Sequence, residues 1–156
     1  MSFDTVKQYF EDLGAGDHVL SFSHSSATVE LAAEAVGCEP ARIAKTMSFL
    51  LGEEPILIVT AGDVRIDNQK FKAFFHQKAK MIPWDLVEEY TGHAPGGVCP
   101  FMIKENVRVY LDESLKRFDI VYPAAGNASS AVRLTILELE RYSRCQDWID
   151  VCKAAV

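Results

Sequence analysis

The sequence predicts a single mixed α/β domain of the α+β kind, with short strands and helices interleaved in no regular order. Three observations carry this reading. Some segments space their apolar residues by three and four, as helices do, and others alternate or are β-branched, as strands do. The two kinds follow one another irregularly, which favours a mixed sheet over a doubly wound parallel one. No repeat, low-complexity tract or linker interrupts the chain, and its 156 residues fit one domain, since domains commonly run about 100–150 residues.

Phe3, Val6, Phe10 and Leu13 recur at helical spacing and stop near Gly14. Residues 18–22 alternate as a short strand. Residues 28–36 are helical in composition, with Gly37 placed to end them, and Pro40 can open one further helical turn. Residues 45–51 and 56–60 read as strands joined by Gly52-Glu53-Glu54, a hairpin. Residues 68–75 and 84–91 read as helices, the second closed by Gly92. A loop rich in glycine and proline follows, from His93 to Pro100. Residues 107–111, 120–122 and 131–134 look like further strands. Thr135 and Glu138 match a capping box that opens a last helix, and residues 147–151 add a final strand.

Composition excludes several classes. With 49% hydrophobic and 24% charged residues the chain is an ordinary globular one, able to bury a core without disulfides or metal. Met1-Ser2-Phe3-Asp4 shows no signal-peptide pattern, and the longest apolar runs fall far short of the ~20 residues of a membrane helix. Cys38, Cys99, Cys145 and Cys152 form no CxxC pair, against a zinc site or a disulfide framework. A reducing cytoplasm, no metal and no cofactor are therefore expected. A net charge of -6 is wrong for coating nucleic acid. Residues 63–80 depart from this, carrying +3 against -9 elsewhere, as a small phosphate-contacting patch or a solvated helix face would.

Two features could carry chemistry. On a strand over residues 45–51, Lys45 shares a face with Met47, Phe49 and Leu51. A lysine there either snorkels out at the strand end or points its ammonium into a polar cavity. In the loop Gly96-Gly97-Val98-Cys99-Pro100, adjacent glycines let backbone approach a ligand and let N–H groups converge on an anion; a plain connection is the alternative.

Other residues have structural explanations. Cys99 and His93, six apart in a loop, suggest a thiol-hydrolase pair less than a buried, inert cysteine. His24 lies among Ser23, Ser25 and Ser26, which a capped turn before the Thr28 helix explains. Asp63 and Asp67 fit turn formation and helix capping. Trp84 is expected to pack at the start of its helix rather than stack on a base. Cys38, Cys145 and Cys152 read as structural.

Lys45 and the glycine loop sit within a longer pattern. In order, it comprises Thr28-Val29-Glu30-Leu31-Ala32-Ala33, Arg42-Ile43-Ala44-Lys45-Thr46, the stretch from Ile58 to Asp67, the loop from Thr91 to Phe101, Val109-Tyr110-Leu111-Asp112-Glu113-Ser114-Leu115, and the stretch from Val121 to Leu134. In this the chain resembles the YbaK/ProX/INS family of aminoacyl-tRNA editing deacylases, found free-standing and inserted in bacterial prolyl-tRNA synthetases. The family's functional lysine falls on Lys45, its GxxxP loop on Gly96 to Pro100, and its later glycine turn on Gly126-Asn127. Cys99 stands where a hydroxyl residue is common, and Met102 where a glycine often follows the Pro-Phe pair. Tyr122-Pro123-Ala124-Ala125 is not the form expected of a free-standing alanine-specific member.

The resemblance implies a highly twisted, barrel-like mixed sheet surrounded by helices. It implies a trans-acting, metal-independent deacylase that cleaves the ester of a mischarged tRNA, with tRNA-Pro carrying alanine, cysteine or another small amino acid as the expected class. Lys45 would be the catalytic residue. Gly96, Gly97, Val98, Cys99, Pro100, Gly126 and Asn127 would bind substrate; from the charge of the 63–80 segment rather than from the resemblance, Arg65, Lys70 and Lys72 are expected against the tRNA. The partner would be the acceptor end of aminoacyl-tRNA, delivered by a synthetase or elongation factor, with no DNA and no membrane. Two rivals remain at this stage: a non-catalytic module that docks tRNA or a synthetase, and a cysteine-dependent hydrolase requiring Cys99 as an exposed thiolate.

Overall fold

The computed structural model describes residues 2–155. Ten strands and five α-helices follow one another as α1 (Ser2–Asp12), β1 (Val19–Ser21), α2 (Val29–Val36), β2 (Ile43–Leu51), β3 (Glu54–Ala61), β4 (Val64–Ile66), α3 (Asn68–Phe75), α4 (Val87–Thr91), β5 (Arg108–Asp112), β6 (Ile120–Pro123), β7 (Ser130–Val132), β8 (Leu134–Thr135), α5 (Ile136–Ser143), β9 (Asp147–Ile149) and β10 (Cys152–Ala154). Six strands, in the order β8-β6-β2-β3-β5-β9, form one mixed sheet that curls into a half-barrel with the helices around it. Two ribbons, β1–β7 and β4–β10, complete the strands. The mixed α+β class is as the residue pattern predicts, and the curled sheet is as the family resemblance implies.

The β2–β3 hairpin is the centre of the sheet because it is the longest apolar stretch and buries almost every β3 residue. β3 runs parallel to β5, and β2 parallel to β6 over Ile43–Tyr122 and Ala44–Pro123 alone. Phe10, Phe49, Phe71 and Phe101 fill the largest buried volumes of the core.

Local signals fixed the helix ends where the sequence placed them. Thr28 caps α2 by accepting from Leu31 N–H, and Gly37 ends it with φ +83°. Asp67 caps α3 through Gln69 and Lys70 N–H, and Thr135 and Glu138 form the reciprocal capping box of α5.

Elsewhere the structure corrects the expectation. The helix expected over residues 84–91 is a 3₁₀ turn, Trp84–Leu86, followed by the single-turn α4. Trp84 is 75% exposed and does not pack as predicted, because Ile82, Leu86 and Val87 supply that contact with Leu50 instead. The strand expected at 131–134 divides at Arg133, β7 pairing with β1 and β8 with β6. β4 and β10 were not anticipated.

Candidate active site

A cavity of about 180 Å³ lies where β6 parts from β2. The parallel pairing of β6 with β2 ends at Ala44–Pro123, the last residue of β6. The chain there turns away through residues 124–129 into β7, and the space between is walled by Lys45, Thr46, Gly96, Val98, Tyr122 and Ser130, with the N-terminal turn of α2 above.

The uncovered stretch of β2 also points hydrogen-bonding groups into this space. Successive residues of a strand direct their N–H and C=O to alternate edges. On the β6 side, Ser48 C=O accepts from Ile82 N–H at 3.1 Å and Leu50 N–H donates to Lys80 C=O at 2.9 Å. Thr46 is in phase with them, so its N–H and C=O face the same edge between Pro123 and the 80–82 segment, along the cavity wall. Its hydroxyl is shut off from solvent and has no hydrogen-bond partner among the described residues.

Lys45 lines the cavity while its ammonium donates to the carbonyl of Val64, the first residue of β4. Burial pushes its pKa down, and the neighbouring Cys152, Asp63 and Glu30 act in the opposite direction. An ammonium has three donors, so the bond to Val64 fixes the side chain without consuming its capacity to donate further.

Two glycine turns meet beside it. Gly96 (φ +89°) and Val98 face the cavity, and Gly97 packs so closely on the other turn that a β-carbon would lie 2.5 Å from Asn127 Cα. Gly126 is pressed in turn against the backbone of Ser2 and Phe3. The second turn is braced internally: Asn127 Oδ1 accepts from Ser129 N–H at 3.0 Å, and Ser130 Oγ accepts from Ala125 N–H at 3.2 Å. Gly97, Gly126 and Asn127 thus sit as a backbone buttress behind the wall that Gly96 and Val98 form.

Cys99 and Pro100 do not reach the cavity. Pro100 lines a separate groove with Tyr9, Met102 and Tyr142. Cys99 is fully buried, and its thiol pKa is pushed up to about 12 by burial. Its Sγ does lie 3.5 Å from His93 Nε2, a proximity that spacing alone gave no reason to expect. Since Nε2 also meets the Phe101 carbonyl at 2.7 Å, and a carbonyl only accepts, Nε2 carries the proton and cannot take one from sulfur. Burial also pushes the His93 pKa down. The pair is therefore neutral and inert, and the thiol-hydrolase reading is set aside.

The expected tRNA contacts divide. Lys70 is occupied by Asp150 at 3.0 Å and by the Cys152 carbonyl at 2.9 Å. Lys72, on α3, shares a groove with Lys78 beyond the helix, and Arg65 is exposed on β4 opposite Lys153. His24 is exposed and outside the wall, whereas Ser26 and Thr28 belong to it. Asp63 is held by Arg117 at 2.6 Å. Thr46, Tyr122 and Ser130 were missed by sequence reasoning; the one available signal was Pro123, which ends a strand early beside a lysine-bearing one.

A family model of the aminoacyl-tRNA editing domain matches residues 24–142. The chain belongs to this family, known also as YbaK/ProX. It is 49% identical over 154 residues to the uncharacterized protein YwhH of Bacillus subtilis (strain 168), covering 98% of each. It is 27% identical over 120 residues to EbsC of Enterococcus faecalis, whose name gives it a provisional Cys-tRNA(Pro)/Cys-tRNA(Cys) deacylase activity, covering 76% of this chain and 73% of that one. A solved structure described as a candidate trans-editing enzyme for prolyl-tRNA synthetase superposes with a TM-score of 0.87 at 29% identity, covering 98% of each chain. Among the described residues no helix is long and apolar enough to cross a membrane, and no three His, Cys, Asp or Glu side chains are grouped to hold a metal ion.

Proposed function

We propose that this chain is a trans-acting deacylase that hydrolyses the ester joining a wrongly attached small amino acid to the terminal ribose of tRNA. The observation that carries it is the convergence of Lys45, the Gly96–Val98 wall and the open edge of β2 on one small cavity. An aminoacyl ester is already activated, so positioning and electrostatic stabilisation suffice without a covalent nucleophile. Lys45 donates to the ester region and favours charge developing on the carbonyl oxygen. The Thr46 backbone offers an acceptor for the substrate's α-ammonium and a donor for an oxygen, while the glycine wall holds the attacking water against the carbonyl carbon. The walls contributed by Ala27, Ala32, Ala44, Ala124 and Ala131 suit a short side chain, in keeping with alanine or cysteine on tRNA-Pro.

A panel of mischarged tRNAs incubated with purified protein tests this. Release of a small amino acid, undiminished by EDTA, is the expected result. If no member is hydrolysed while tRNA is still bound, the chain is a docking module and the deacylase reading fails.

A further inference from the structure

The β4–β10 ribbon holds an arrangement that the deacylation chemistry does not use. Arg65 and Lys153 are direct cross-strand partners, and both are exposed. On an antiparallel pair such side chains leave the same face with β-carbons about 4.5–5.5 Å apart, and like charges there repel. Nearby carboxylates are committed elsewhere. Asp63 grips Arg117 with both oxygens, at 2.6 and 3.0 Å. Asp150 pairs with Lys70 at 3.0 Å. Asp67 spends one oxygen on the N-terminus of α3, at 3.0 and 3.2 Å, and Lys153 is near enough to influence it. Among the described residues neither Arg65 nor Lys153 joins a carboxylate within ion-pair distance.

The ribbon is also fixed in place. Asp67 N–H donates to Val151 C=O at 2.8 Å, and Ala155 N–H to Asp63 C=O at 3.1 Å, closing it at both ends. Val64, next to Arg65, is the residue whose carbonyl holds the Lys45 ammonium. The cationic pair therefore begins one residue from the point where the candidate catalytic side chain is anchored. The cavity, at about 180 Å³, is well below the roughly 300 Å³ at which pockets begin to enclose drug-sized ligands. It takes an aminoacyl group, and the nucleotides behind it must run over the surface.

We propose that Arg65 and Lys153 form a phosphate clamp that grips the RNA backbone leading to the ester at Lys45, an inference that rests on the deacylase reading for its ligand. It explains how a protein of charge -6 engages a polyanion: through a few local contacts rather than a basic surface. It also moves the expected contact from Lys70, which is already paired, to Lys153.

The test is binding of an uncharged tRNA transcript at several salt concentrations. The double variant Arg65→Glu/Lys153→Glu should bind at least about tenfold more weakly near physiological salt, and its log–log salt slope should be shallower by about 1.4–1.8, the share of two phosphates. Lys7→Glu/Arg141→Glu makes the same change of net charge at exposed positions on α1 and α5 and should bind within about twofold of the wild type. Should the charge reversal disturb folding, Arg65→Gln/Lys153→Gln reports the same change in slope. Wild-type binding by the clamp variants, or equal loss in the control, overturns the proposal. Because the probe carries no amino acid, the outcome is independent of whether any ester is cleaved.

Discussion

Replacing Gly97 with alanine should force apart the two turns that frame the cavity. The new β-carbon would fall 2.5 Å from Asn127 Cα, 2.6 Å from Asn127 N and 2.8 Å from Gly126 C. All three are main-chain atoms, so no change of rotamer relieves the overlap. Non-bonded carbons rest about 3.5–4.0 Å apart, so one turn must retreat by about 1 Å. Overpacking of this kind costs about 1–3 kcal/mol, and a misplacement of that size in a positioning element costs about 100-fold in rate. Gly96→Ala is the internal comparison. Its β-carbon meets only the Ala128 and Ala27 methyls, at 3.5 and 3.6 Å, but its φ of +89° carries a penalty of about 1–2 kcal/mol for a side chain. Gly97→Ala should therefore lose about 100-fold in kcat/KM, while Gly96→Ala loses comparable stability and less activity. Steady-state deacylation and thermal denaturation on the same preparations measure both. A Gly97→Ala protein within threefold of wild-type kcat/KM would refute the claim that contact between the turns sets the geometry.

Lys45→Met should lower kcat at least about 100-fold, the scale on which an oxyanion donor is lost, with a melting temperature at or above that of the wild type because a half-buried charge is removed. The sign for pH follows from the lowered Lys45 pKa: wild-type activity that needs the ammonium is lost at a lower pH than an exposed lysine would give, and the destabilisation from burying the charge is relieved as pH rises through the folded pKa. A pH–rate profile without an alkaline limb below the ordinary lysine range would contradict this. Cys99→Ser should keep deacylation within about threefold, since the thiol's polar contacts are with His93 and the Phe101 carbonyl and a hydroxyl can donate to the same carbonyl; a thousandfold loss in a folded protein would restore the thiol mechanism. Met102 adopts φ +52° with an exposed side chain, so Met102→Gly should stabilise by up to about 1 kcal/mol, read as a higher denaturant midpoint with unchanged slope.

Legibility in the sequence followed the range of the interactions. Caps are local, so Thr28, Asp67 and the Thr135–Glu138 box were readable from neighbouring residues alone. The β2–β3 hairpin was readable because its strands are long and joined by a short turn. The β4–β10 ribbon was not: each strand has three residues, too few to show a period, and Ile66 pairs with Cys152 from the far end of the chain. The site divides in the same way. Lys45 and the glycine loop stood out as an unusual residue on an apolar face and an unusual composition. Tyr122, Ser130 and the Thr46 backbone join them only through closure of the sheet, which no spacing encodes. Trp84 was expected to pack because it opens the helix read over residues 84–91, but Leu86 and Val87 supply that packing.

The uncovered edge of β2 has a bearing on solubility. Bare strand edges are templates on which another chain can add a strand and begin to aggregate. Here the exposure is confined to the few residues between Pro123 and the 80–82 segment, recessed beneath Gly96 and Val98. A foreign strand could neither enter nor find enough consecutive partners to hold its register. The loop from His93 to Pro100 is thus a guard as well as a wall. Deletions within it should show themselves first as self-association at high concentration, before any loss of binding is measured.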